Sequence, residues 1–77
     1  MSVWFDVCKW GASELGECLN HSGYSCDDII SAKFESLNHS RQAVFSIKFK
    51  NEETDTGLEE SNVYVWLNSN GVLAASF

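Results

Sequence analysis

The side chains in this sequence best suited to chemistry are its three cysteines and two histidines: Cys8, Cys18, Cys26, His21 and His39. Cys8 followed by Cys18-x-x-His21-x-x-x-x-Cys26 carries the donor types of a Cys₃His tetrahedral zinc site. Structural zinc sites usually show two close ligand pairs, whereas here only Cys18 and His21 are close in sequence. Cysteine is also among the most buried residue types, so packed, reduced thiols outweigh a metal centre. The odd count points the same way, because a disulfide framework in a short secreted chain uses an even number. A Cys–His pair could serve nucleophilic catalysis, yet no nucleophile elbow or oxyanion turn accompanies it. A chain of 77 residues also leaves little room for a closed pocket. The sequence therefore assigns no catalytic residue, no metal ligand and no cofactor, and an enzyme is not expected.

Carboxylates form the second candidate group. The stretch 51–61, Asn-Glu-Glu-Thr-Asp-Thr-Gly-Leu-Glu-Glu-Ser, holds five acids and no base. Calcium is excluded by spacing. With Gly57 at the sixth position of an EF-hand loop, Glu52, Thr54 and Thr56 fall at the first, third and fifth, which is not the ligand pattern. Two readings are then balanced. The acids solubilise a connection beside strands, or Glu52, Glu53, Asp55, Glu59 and Glu60, with Asp27 and Asp28 nearby, present carboxylates where a partner's lysines and arginines expect phosphates. Tyr64 and Trp66 follow directly. Their large area favours core positions, with an interface anchor as the next reading. A stacking platform for single-stranded nucleic acid, formed with Lys33, Lys48 and Lys50, is the weakest of the three.

Eleven acids against five bases give a net charge of −6, which repels polyanions and favours a partner with a basic surface. Direct nucleic-acid binding is disfavoured. No apolar run approaches the roughly 20 residues needed to span a bilayer. Met-Ser-Val-Trp-Phe-Asp lacks the basic start and apolar stretch of a secretory signal. The expected location is the cytoplasm, and there the matches Asn20-His-Ser and Asn38-His-Ser to the glycosylation signal have no meaning.

These groups must be positioned by elements legible in the spacing of apolar residues. Residues 2–10 alternate Val3, Phe5, Val7 against Trp4, Asp6, Cys8, Trp10 and read as a strand. Ser13 is a candidate cap for a short helix with Leu15, Cys18 and Leu19 on one stripe and Gly23 at its end. From Ile29 the period becomes two. A turn through Asn38-His39-Ser40-Arg41 sets Phe34 opposite Phe45, Ala32 opposite Ile47 and Ile30 opposite Phe49, all on one face. A second hairpin is expected around Asn70-Gly71, the strongest short hairpin signal. It places Val63, Val65, Leu67, Val72 and Ala74 on one face and Tyr64, Trp66, Leu73, Ala75 and Phe77 on the other. Neither face is polar, so both need cover, from the helix on one side and from the N-terminal segment, a second copy in a homodimer, or a partner on the other. The tetrad Leu-Asn-His-Ser occurs at 19–22 and at 37–40, but the flanks differ, and the two copies read as the end of the helix and a hairpin turn. The expectation is one α+β domain over 1–77, with an antiparallel sheet of four to five strands and one short helix packed on a face.

In size, acidity, lack of proline and absence of catalytic motifs, the chain resembles in kind the small inhibitors that phages encode against host enzymes and CRISPR complexes, some of which mimic DNA. That resemblance implies an anti-CRISPR-like protein–protein interaction: an acidic module that blocks a basic surface of a nucleic-acid-handling complex, without touching nucleic acid or membrane. An immunity protein against a toxin nuclease fits the same composition. A small zinc-stabilised structural domain is the alternative from another class.

Overall fold

The alternation over 43–50 produces one of the two inner strands of the sheet, and its buried face is the middle of the core. The computed structural model describes residues 6–24 and 29–77. A helix, α1 (Ala12–His21), is followed by β1 (Ile29–Leu37), β2 (Ala43–Lys50), β3 (Leu58–Leu67) and β4 (Leu73–Ser76). The strands form one antiparallel sheet in the order β1-β2-β3-β4, so the fold is α+β, with α1 on one sheet face. Ala43, Phe45 and Ile47 of β2, Val63 and Val65 of β3, and Ala75 of β4 are buried against Leu15, Cys18 and Leu19 of α1. The opposite, outer face carries Val44, Ser46 and Lys48, which pair across to Tyr64, Asn62 and Glu60.

α1 starts two residues earlier than a Ser13 cap implies. Gly11 is its N-cap, and its N–H donates to the Glu14 carboxylate at 3.2 Å. This is the half of a capping box that needs no side chain on the capping residue. At the other end Gly23 takes φ +95°. Its N–H donates to the Asn20 carbonyl at 3.1 Å while the Tyr24 N–H donates to the Leu19 carbonyl at 2.9 Å. That pair of bonds is a Schellman termination, with glycine where the left-handed residue must be.

Three expectations are corrected. The strand at 2–10 is not formed over its described part: Asp6 and Val7 are helical, and the N–H groups of Lys9 and Trp10 bond back to the carbonyls of Asp6 and Val7 at 3.1 and 3.0 Å. Residues 2–5 lie outside the described residues. Apolar side chains stood on both phases of that stretch, so its alternation did not discriminate. Val7 and Trp10, one helical turn apart, both reach the core side, Val7 at 1 % exposure and Trp10 stacked on Phe45 with ring centroids 6.4 Å apart. The segment thus packs under the inner face and not over the outer one.

Second, Phe34 and Ala32 face Phe45 and Ile47 as expected, but Ile29, not Ile30, pairs with Phe49. A bulge at Ile30 turns that side chain outward, 49 % exposed, and a further register shift occurs at Glu35. Bulges on an edge strand spoil it as a template for another chain. Third, the last hairpin is shifted by one residue. Leu67 pairs with Leu73 and Val65 with Ala75, so Leu73 and Ala75 join Val63 and Val65 on the inner face, while Ala74 pairs with Trp66 on the outer face. The cause is Asn68, whose side-chain oxygen accepts from the N–H groups of Asn70 and Val72 at 2.9 and 3.1 Å. Only Gly71 of this turn has positive φ, whereas a two-residue type I′ turn needs it at both central positions.

β4 is short, and its free edge is covered by the end of α1. The Ala75 N–H donates to Ser22 Oγ at 3.0 Å, Ser22 Oγ donates to the Cys18 carbonyl at 3.0 Å, and Cys18 Sγ lies 3.8 Å from the Leu73 carbonyl oxygen. Both edges of the sheet are therefore blunted.

Candidate functional site

The stretch 51–61 reads in sequence as a single acidic loop, but Leu58 to Ser61 are the first residues of β3, so Glu59 and Glu60 stand on a strand and the connection itself is 51–57. That connection is a hydrogen-bonded structure. Asn51 opens it: its N–H donates to the Gly57 carbonyl at 2.9 Å, and its side-chain oxygen accepts from the Glu53 N–H at 3.0 Å. The Thr54 hydroxyl lies 3.0 Å from the Asn51 carbonyl and 2.9 Å from that of Leu58. Glu52, Glu53 and Asp55 stand exposed on this tip. Glu59 is tied back, accepting from the Asn51 side-chain amide at 2.8 Å, and Glu60 sits 3.5 Å from Lys48 across the outer face.

Tyr64 and Trp66 are half-buried on the outer face near the opposite end of β3. Trp66 lies six residue steps along the strand from Glu60, about 20 Å at roughly 3.3 Å per residue. The acidic loop and the aromatic pair are therefore two places and not one patch. The register puts Lys33, Lys48 and Lys50 on the same face as the aromatics, Lys50 level with Leu58, Lys48 level with Glu60, and Lys33 across from Ser46, between Glu60 and Tyr64 along the strands.

The thiols and imidazoles disperse. Cys18 is buried while Cys8 is exposed, and burial pushes the Cys18 thiol above its ordinary range. The His21 side chain is 78 % exposed and 4.0 Å from Glu17, and His39 is exposed in the first hairpin turn. Among the described residues no three His, Cys, Asp or Glu side chains gather as a metal site. Cys26, Asp27 and Asp28 lie outside them.

Sequence reasoning missed the end of the molecule where the β3–β4 turn meets α1. There a groove of about 590 Å³ runs between α1 and the 68–72 turn, lined by Trp10, Glu14, Glu17, Cys18, His21, Val72 and Leu73. A second hollow of about 380 Å³ shares His21, Val72 and Leu73 with it and extends to Tyr24 and Trp66. Trp66 also borders a third, of about 370 Å³, beside Ser40, Arg41 and Gln42. Leu37, Leu67 and Val72 are 53, 47 and 58 % exposed at this end. The i, i+3 spacing of Glu14 and Glu17, after a tryptophan at the entrance to the helix, was the available signal; it was hidden because both acids read as an ordinary solvated helix face. Among the described residues no helix is long and apolar enough to cross a membrane. No protein-family model matches the chain, and the comparisons with characterised proteins and with solved structures found no similar protein.

Proposed function

We propose that this chain is a protein-binding module that covers a basic surface of its partner, as an inhibitor of a nucleic-acid-handling protein would. The observation that carries the reading is where apolar surface is left over. The inner face is used by the helix and the edges are blunted, yet Leu67 and Val72 remain exposed beside the hollows that Trp66 borders, and Leu37 is exposed at the same end of the sheet. Ile30 and Leu58 are the exposed aliphatics of the other end. Aromatic and aliphatic anchors of this kind supply most of the affinity of a contact, and surrounding charges supply rate and choice of partner. The net charge of −6 selects a basic partner.

The test is capture from a bacterial lysate on the immobilised chain, in parallel with the triple variant Leu37→Ser, Leu67→Ser, Val72→Ser. A basic protein held by the first and not the second, with association slowing as salt rises, is the expected result. Equal retention by both rejects this end as the contact. A second reading is favoured by Lys33, Lys48 and Lys50 sharing a face with Tyr64 and Trp66: single strands stacking on the sheet. Binding of an oligonucleotide at low salt, lost in Trp66→Ala, would select it.

A further inference from the structure

We propose that the groove between α1 and the 68–72 turn receives an arginine or lysine side chain carried on an apolar segment of the partner protein, an inference that rests on the basic-partner reading and names its contact site. Three kinds of group meet there, each matched to one part of such a side chain. Trp10 is held by its stacking on Phe45 but is only half-buried, so part of the best ring type for a cation borders the groove. Glu14 and Glu17 stand one turn apart on the wall. The Gly11 N–H fixes one oxygen of Glu14 at 3.2 Å, which orients the carboxylate and leaves its remaining lone pairs for a guanidinium. The Glu17 and His21 side chains are 76 and 78 % exposed and 4.0 Å apart, too far for a hydrogen bond, so Glu17 is open to a closer cation. Val72 and Leu73 form an apolar side suited to the aliphatic stem. Among the described residues of the lining, His21 alone is basic. The volume, about 590 Å³, exceeds one side chain and leaves room for an apolar neighbour.

The test is a titration of the full-length, ¹⁵N-labelled chain followed by NMR. The probe is a blocked hexapeptide of alternating leucine and arginine, and the control is the same peptide with citrulline, which keeps the shape and removes the charge. The Trp10 indole N–H signal is identified with Trp10→Phe. Expected are shifts of that signal and of the Glu14, Cys18 and Val72 amides, with roughly tenfold weaker binding for the citrulline peptide, and for the arginine peptide with the Glu14→Gln/Glu17→Gln variant. That variant should melt as the wild type does, because the amide oxygen that replaces the Glu14 carboxylate can still accept from the Gly11 N–H. The loop variant Glu52→Gln/Glu53→Gln/Asp55→Asn should leave the groove shifts in place. Equal binding of the citrulline peptide overturns the proposal, leaving only an apolar groove. Shifts confined to 51–57 overturn it too, while the basic-partner reading stands. If the groove signals move on raising protein concentration alone and Arg41→Ala abolishes this, the occupant is a second copy and the partner assignment is wrong.

Discussion

Asn38, Asn51 and Asn68 each open a hairpin connection with the same device, a side-chain oxygen accepting from the N–H two residues on, at 3.0, 3.0 and 2.9 Å. In the first and last turns it also accepts from the N–H four residues on, and the residue before that one is left-handed: Arg41 at φ 61° and Gly71 at φ 77°. The same turn is thus built once with the residue suited to it and once without. Arg41→Gly should stabilise by about 0.5–1 kcal/mol, the left-handed penalty less the entropy of glycine, and Gly71→Ala should cost about 1–2 kcal/mol. Added carbon at Gly71 meets nothing within 4 Å, so a thermal melt of that variant reads conformation alone; a melt unchanged in both variants would refute the shared geometry. Cys18 gives a prediction in pH. With its folded pKa raised by burial, both folded and unfolded chains keep the proton below about pH 8.5. Above that the unfolded chain releases it first, so stability falls as pH rises. The fall should be shallower in Cys18→Ala, and an alkylating reagent at neutral pH should reach Cys8 well before Cys18.

Hairpin register shows what an element's sequence discloses and what it withholds. Phe34 opposite Phe45 was legible from apolar alternation alone, but for a partly compensated reason. The Asn38 turn ends with Leu37 opposite Ala43, one residue away from the expected pairing, and the register shift at Glu35 takes that residue back. No such shift lies in β4, so the same turn chemistry at Asn68 displaced the last pairing by one residue and exchanged the two faces of β4 relative to β3. Side-chain hydrogen bonds within turns, not hydrophobic patterns, carry that information. The four strands and α1 were legible because their periods were clean; the groove was not, because its residues come from the entrance of the helix, its exposed side and a turn far away in sequence. Phe45 is 0 % exposed at the centre of β2, so Phe45→Ala should cost roughly 3–5 kcal/mol, a large part of what holds so small a domain. Lys48→Ala should cost little, its partner being a solvated Glu60. Ser22→Ala tests how β4 is held: it leaves the Ala75 N–H without its acceptor, at a cost of about 1–2 kcal/mol. Hydrogen exchange at Ala75 should accelerate before exchange in β2, and unchanged protection would show that β4 does not need the helix.

At the scale of the whole molecule, shape sets two groups of acids apart, Glu52, Glu53, Asp55, Glu59 and Glu60 from Glu14 and Glu17. The chain is elongated, 42 × 23 × 19 Å, with the tip at 51–57 at one end of β3 and the groove against the turn at the other. Strand length sets Leu58 and Leu67 about 30 Å apart, several times the roughly 8 Å over which charges act at physiological ionic strength. The two acidic regions therefore act independently. Those on the tip are exposed and far from the groove, so under the proposed function they would bear on encounter, whereas Glu14 and Glu17 border the proposed contact and would bear on how long it lasts. Replacing Glu52, Glu53, Asp55, Glu59 and Glu60 by their amides should preserve the fold, since the amide introduced in place of Glu59 keeps a carbonyl for the Asn51 side chain that Glu59 now accepts from and the Lys48 pair is solvated. That variant should slow association with a basic partner and flatten its salt dependence while leaving dissociation almost unchanged. Glu14→Gln/Glu17→Gln should do the reverse, speeding dissociation with a smaller effect on association. Combined, the two sets should add in free energy, as distant sites do. Association and dissociation rates at several salt concentrations, measured for wild type, each set and the combination, decide it. A five-amide variant that associates at the wild-type rate at every salt concentration would reduce these acids to a solubilising feature of the β2–β3 end.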